Sequence, residues 1–372
     1  MDKVQSFQED LVELAKEKLA RGELNRRQFA AALGLLGVGA AAGSPRDAAA
    51  QVKELVYCNW GGTANTAYGN YYGKPFEALN PGVKVVMEPA SPTAGKIRAM
   101  VESKKVTWDV CDGSAFFAVS LGAMGLLEKI DYSVVNKNEL VSGMTYEYGV
   151  APFSFSNVIL YDSAKVGNDP PKGWVDFFNF QKYPGKRMMR RDANVMLEAL
   201  LMGDGVAMNK IYPMDVSRAV ELLKKHRKDF VYWNSGAESE QLMRSGEAVM
   251  GTLWNTRAKI LFEETKGRLA FTWNQGILQP GVQVVPKGNP AGGLVNKFLA
   301  FACSNEDAQL GLFGFFASGP SNKRAAARVS PDLRRFNPSD PDNAKIQLVY
   351  DGEWWGKNYA DANQKYLDTI AG

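Results

Sequence analysis

Leu55-Val56-Tyr57-Cys58-Asn59-Trp60-Gly61-Gly62 is a short apolar run that stops at a polar, glycine-rich loop. So brief a run is too short for a helix and suits a strand buried on both faces. Residues 68–79 then follow a helical period, closed by Asn80-Pro81-Gly82. Val83-Lys84-Val85-Val86-Met87 is a second strand, residues 94–103 a helix with Ile97, Met100 and Val101 facing inward, and Trp108-Asp109-Val110-Cys111 a third strand. This recurrence of strand, loop and helix predicts an α/β fold: an open parallel sheet covered by helices. Asp112-Gly113-Ser114 caps the third strand ahead of a helix near residues 116–122.

Further along, two extended segments, residues 148–155 and 157–161, have nothing helical between them, as expected where a chain crosses between lobes. The α/β pattern then restarts, with helices at residues 175–180, 194–202, 215–226 and 238–245 among strands at 187–190, 229–233 and 248–253. Residues 281–286 form a second extended crossing, and helices near 294–302 and 307–316 return to the first lobe. The expected organisation is residues 51–155 and 281–372 in lobe 1 and residues 156–280 in lobe 2.

Composition agrees with two lobes, because 372 residues exceed one ordinary core. Hydrophobic residues at 45% against 23% charged exclude long disorder. The formal charge of +4 is spread along the chain, so no nucleic-acid partner is expected. His226, the only histidine, lies in a basic helix end, which leaves catalytic triads and histidine-rich metal sites without their imidazole. Cys58, Cys111 and Cys303 lack metal or redox spacing and read as small buried hydrophobes, with a Cys58–Cys111 disulfide left open. Neither a cofactor nor a metal is expected.

At the N-terminus, Asn25-Arg26-Arg27-Gln28-Phe29 leads into an apolar Ala/Gly/Leu stretch, residues 30–43, and then Ala48-Ala49-Ala50. Paired arginines, an apolar segment too short to span a bilayer, and small residues resemble a twin-arginine secretory signal cut after Ala50. The other reading is an amphipathic helix striped by Leu11, Leu14 and Leu19. Removing residues 1–50 leaves the charge at +4, since that segment is balanced. A soluble periplasmic product, acting as a monomer, is expected.

Asn59-Trp60, Trp233-Asn234 and Trp254-Asn255 each follow an apolar strand-like run. An indole beside an amide at a strand end offers a flat apolar wall with a donor and an acceptor, which suits a small solute carrying both methylenes and polar groups. Core packing is the rival explanation for each tryptophan alone. Arg257 reads either as a bidentate fork for a carboxylate or as a surface residue. Arg190-Arg191-Asp192 is similar, with one arginine in water and Asp192 capping the next helix. Asp112 either meets an ammonium or caps a helix. Gly203-Asp204-Gly205 lacks the Gly-Lys-Ser/Thr of a phosphate loop and reads as a helix-ending turn. Asp109 with Asp112, or Glu238 with Glu240, are the carboxylate pairs a hydrolase would need, but capping and exposure account for them. A ligand sensor partnering a membrane receptor is a third class.

The opening Val56-Tyr57-Cys58-Asn59-Trp60-Gly61, Gly125-Leu126-Leu127-Glu128-Lys129-Ile130-Asp131, Gly173-Trp174-Val175-Asp176-Phe177-Phe178, Tyr183-Pro184-Gly185-Lys186 and Val284-Val285-Pro286-Lys287-Gly288, in this order, resemble the periplasmic solute-binding proteins of ABC importers, specifically the spermidine/putrescine-type branch. The resemblance runs over nearly all of the chain after residue 50. It implies a type II periplasmic binding protein fold, hinge crossovers, and delivery of a solute to an inner-membrane ABC permease, without catalysis. The family's solute contacts would fall on Trp60, the Asp112 to Ser114 loop, Asp192, Trp233-Asn234 and Trp254-Asn255; with Asn59, Gly61 and Arg257 these are the candidate site. Polyamine binders use carboxylates to meet each ammonium, yet Arg257 follows Trp254 and Gly276-Ile277-Leu278-Gln279-Pro280 carries no acid. A carboxylate-bearing or zwitterionic solute is therefore favoured over a polyamine.

Overall fold

A computed structural model describes residues 14–25, 28–29 and 53–372. The chain divides into two compact units, Met1–Val52 and Lys53–Gly372. In the first, residues 14–20 are helical and Arg21 pairs with Glu17 at 3.0 Å. The signal features Arg26-Arg27, residues 30–43 and the cut at Ala50 lie outside the described residues. Among the described residues no helix is long and apolar enough to cross a membrane.

The second unit is built on one mixed sheet of 11 strands ordered β2-β1-β3-β9-β5-β8-β6-β7. On one side β1 (Lys53–Cys58) runs parallel to β2 (Val83–Glu88) and β3 (Val110–Gly113). On the other, β6 (Arg187–Arg190) runs parallel to β7 (Phe230–Trp233) and β8 (Met250–Trp254). The two parallel halves are joined through β5 (Gly149–Asp162) and β9 (Leu269–Val284), which pair antiparallel along most of their length. At its far end β9 reaches β3, and β5 reaches β8. The short strands β4 (Thr145–Tyr146), β10 (Gly319–Pro320) and β11 (Leu348–Val349) pair at the flanks of β5 and β9. This is the expected α/β class, with the two parallel groups of strands on either side of the β5–β9 pair.

Local structure follows the sequence with instructive shifts. The buried run Leu55–Cys58 does form the strand, and Gly61 (φ 70°) and Gly62 (φ 59°) make the turn after it, a conformation that glycine adopts without a Cβ penalty. The following helix begins at Thr63 rather than residue 68. Asp112 and Gly113 lie inside β3 instead of capping it, because β3 extends until its carboxyl end opens onto the cleft. The two extended segments of the first crossing, residues 148–155 and 157–161, merge into β5, and β9 starts twelve residues before the expected position 281. Two of the longer helices were not foreseen. Asn255–Glu264 follows β8 directly. Gly352–Ala371 packs on Ala115–Ala123 so closely that a Cβ on Gly356 would lie 2.4 Å from Val119.

The helix Gly352–Ala371 also ties to the β6 side. Trp355 donates to Glu198 at 2.6 Å and Tyr359 to Asp192 at 2.7 Å, while Phe116 stacks on Tyr359 at 4.4 Å. It therefore touches both halves of the sheet.

Candidate functional site

Parallel strands end at one edge of a sheet, and in open α/β sheets ligands collect at the carboxyl edge. In the β6 half that edge presents Arg190, Trp233 and Trp254; Arg190 and Trp233 are direct register partners. Trp60, just past β1, comes from the other half. Trp60 lies 5.8 Å from Trp254, and Trp233 meets Trp254 edge-on at 5.1 Å. The Arg190 guanidinium sits 5.2, 5.7 and 5.5 Å from the Trp60, Trp233 and Trp254 ring centres, within cation–π range of all three. Among the described residues this guanidinium has neither a hydrogen bond nor an ion pair.

Trp60, Arg190 and Trp254 line a cleft of about 540 Å³, solvent at its mouth included. Phe153 and Phe155 of β5 and Phe316 form apolar walls. Asp112, 4% exposed, accepts from the Tyr68 hydroxyl at 3.0 Å. Burial pushes its carboxyl up to about 7, although the Tyr68 bond and the Arg257 charge pull the other way. Gln279 donates to Asn157 at 2.9 Å and leaves its own buried Oε1 without a partner. Arg257, 1% exposed, is not on the surface: it pairs with Glu240 at 3.2 Å, donates to the Gly61 carbonyl at 3.0 Å and lies 5.0 Å from the Phe316 ring. Burial holds its pKa below the usual guanidinium value, and Glu240 opposes that shift.

Of the residues the sequence singled out, Trp60, Asp112, Ser114, Trp254 and Arg257 line this cleft. Asp192 lines an adjoining recess of about 280 Å³ with Trp60, Ser114 and Arg190, its carboxylate taken by Tyr359 and the Asn194 amide. Trp233 stands behind Trp254, fully buried and bonded to the Thr252 carbonyl. Asn59, Gly61, Asn234 and Asn255 do not line the cleft, because their polar groups serve the backbone. Asn59 accepts from the Gly61 amide at 2.9 Å, and Asn255 bridges the Ser156 amide and the Ala317 carbonyl. The Asn234 amide is held by Glu238 at 2.7 Å, and the Gly61 carbonyl faces Arg257. Cleft-lining residues left out of the candidate site are Arg190, weighed in the sequence only as one of two arginines of which one faces water, together with Asn194, Gln279 and the phenylalanines. Arg190 ends β6 as Trp233 ends β7, so the strand-end rule used for the tryptophans would have found it.

Of the acids named for a hydrolase, Asp112 lines the cleft, but one member of each pair is engaged elsewhere: Asp109 takes the Val56 and Ala291 amides, each at 2.7 Å, and Glu240 is paired with arginines. The cysteines are free and buried, with Cys58 opposite Cys111 in the β1–β3 pairing. Gly203-Asp204-Gly205 ends the helix Met196–Gly203, as expected of a turn. His226 stacks on Phe180 at 4.7 Å at the end of its helix. Among the described residues there is no cluster of three or more His, Cys, Asp or Glu that could hold a metal ion.

Comparison with known proteins matches residues 72–340 to the family of bacterial extracellular solute-binding proteins. A gamma-aminobutyric acid-binding protein of Pseudomonas aeruginosa is 31% identical over 325 residues, 86% of this chain and 91% of that one. The binding protein AgtB of Agrobacterium tumefaciens, solved with agropinic acid, is 30% identical with a TM-score of 0.79, over 86% of this chain and 99% of its own. AttC of the same species, solved open and unliganded, is 26% identical over 86% of this chain and 99% of its own, and superposes less well, at 0.61. These matches carry the family and not the spermidine/putrescine branch within it. The chain belongs to the bacterial extracellular solute-binding proteins.

Proposed function

We propose that this protein is the periplasmic capture component of an ABC importer, binding a small zwitterion of the γ-aminobutyric acid class and passing it unaltered to an inner-membrane permease. The observation that carries this reading is Arg190, a guanidinium with no ion pair among the described residues, lying against three indoles at a strand end. A carboxylate from the solute supplies the missing partner, and the surrounding rings, by excluding water, strengthen the pair. Asp112 suits the opposite end of the solute: an ammonium gives its desolvated carboxyl a counter-charge. Phe153, Phe155 and Phe316 cover the methylenes between. The relative named for gamma-aminobutyric acid and the complex with agropinic acid both involve carboxylate-bearing solutes, which supports the assignment. A polyamine has nothing to offer Arg190.

Solute held between the halves favours the closed form. The preference that the solute must show for the closed form is smaller the more of that form protein contacts already populate. Twin-arginine export with loss of residues 1–50, lobes divided at residues 155 and 280, and action as a monomer belong to the same proposal.

Titration calorimetry with γ-aminobutyric acid tests the reading. Binding is expected, with proton release at pH 6, because the ammonium draws the Asp112 pKa down from about 7. Heat from putrescine and none from γ-aminobutyric acid would refute it.

A further inference from the structure

The loop after β1 reaches across the cleft and bonds to the β6 half through protein atoms alone. The successive positive φ angles of Gly61 and Gly62 turn the Gly61 carbonyl toward Arg257, whose Nη2 donates to it at 3.0 Å. Two residues on, Thr63 Oγ1 donates to Glu240 Oε1 at 3.4 Å. Arg257 and Glu240 project from the helices Asn255–Glu264 and Gly236–Arg244, and their side chains are 1% and 6% exposed. Arg244 orients Glu240 from behind at 2.8 Å and is itself held by Glu264 at 2.9 Å. A charged network of this depth, in one half of the sheet, ends on a backbone carbonyl and a hydroxyl of the other half. The better superposition on a ligand-bound relative than on an open one fits a cleft held in this arrangement.

We propose that Glu240 and Arg257 form a closure latch: their bonds to Thr63 and Gly61 hold the two halves together without an atom of solute, so Arg257 positions the loop instead of binding the solute carboxylate. The rival role is real, because Arg257 lines the cleft and its Nε has no hydrogen-bond partner. The latch rests on the proposed solute class only in the choice of probes.

Two variants of the full chain separate the roles. In Gly236→Ala the new Cβ would lie 2.7 Å from Arg257 Nε and 2.9 Å from Nη2, displacing a flexible guanidinium while improving helix propensity. In Glu240→Gln/Arg257→Met both charges go together, so neither is left buried alone. Small-angle scattering of the ligand-free proteins should give a larger radius of gyration for both variants than for wild type. Calorimetry should show γ-aminobutyric acid and its amide, 4-aminobutanamide, weakened by the same factor, about tenfold for loss of charged hydrogen bonds. Radii equal to wild type in both variants would overturn the latch. So would a loss confined to the acid, which would return Arg257 to the solute carboxylate. If wild type binds neither compound, the solute class fails and the scattering comparison alone decides the latch.

Discussion

Arg187 and Arg190 stand at opposite ends of the same strand, β6, and do opposite things. Arg187 is fully buried and donates to the carbonyls of Phe177, Gly185, Tyr183 and Asn179, at 2.6, 2.8, 2.6 and 3.4 Å. Its guanidinium lies 4.5 Å from the Phe180 ring, and burial lowers its pKa to about 10. Arg190 is half-buried, lies against three indoles, and its guanidinium has no acceptor among the described residues. The difference is one of edge. At the amino end of a parallel strand the connecting loops fold back and offer carbonyls; at the carboxyl end the strands stop and leave the side chain to the cleft. One arginine is spent on architecture, and the other is held in reserve for a ligand.

Arg187→Met should test the architectural end most severely. It leaves buried carbonyls unsatisfied and should lower unfolding free energy in urea by about 3–5 kcal/mol. A loss no larger than that of a surface substitution would break the contrast. Arg190→Met should do the reverse, costing about 2–3 kcal/mol of solute binding by calorimetry, with the urea midpoint nearly unchanged. Comparable destabilisation by both would show that the two ends do not differ.

The cleft also contains an acid out of its usual range, and so does the core. Asp112 and Glu198 are both raised to about 7 by burial, despite hydrogen bonds that oppose it. With folded pKa values above the unfolded ones, the native state binds extra protons. The associated stability is fully present below the unfolded carboxylate pKa, near 4, and is lost as pH rises through about 7. Asp112→Asn removes one of these contributions, so the fall in stability between pH 5 and 8 should shrink by about 1–2 kcal/mol. An unaltered pH profile would count against the burial of this carboxyl. The smallest effect expected is from Trp60→Ala. It takes away one of the three indoles around Arg190 and should weaken solute binding by about 1 kcal/mol, with little change in the urea midpoint.

The parallel units were legible because their strands are apolar runs closed by turn residues: β1, β2, β6, β7 and β8 lie within two residues of their expected limits. Asn255–Glu264 escaped notice because its inward positions include Asn255, Thr256, Arg257 and Lys259, so it has no apolar stripe to announce a buried face. The strand-end tryptophans were legible for the same reason as the strands that carry them. What the one-dimensional pattern could not tell is where each amide spends its hydrogen bonds: Asn59 and Asn255 look like Asn194 in sequence, yet only Asn194 lines the cleft. Arg190 was obscured by the adjacent Arg191, since the sequence alone does not say which of the two arginines faces water.

The helix Gly352–Ala371 contributes one residue, Tyr359, to the recess beside the cleft and none to the cleft itself. A protease cutting ahead of Gly352 would spare every cleft-lining side chain. It would nonetheless strip Tyr359 from Asp192 and Phe116 and leave Glu198 without its indole donor. Trimming at the tail should therefore silence capture while leaving the lining intact, a failure invisible to any inventory of contact residues.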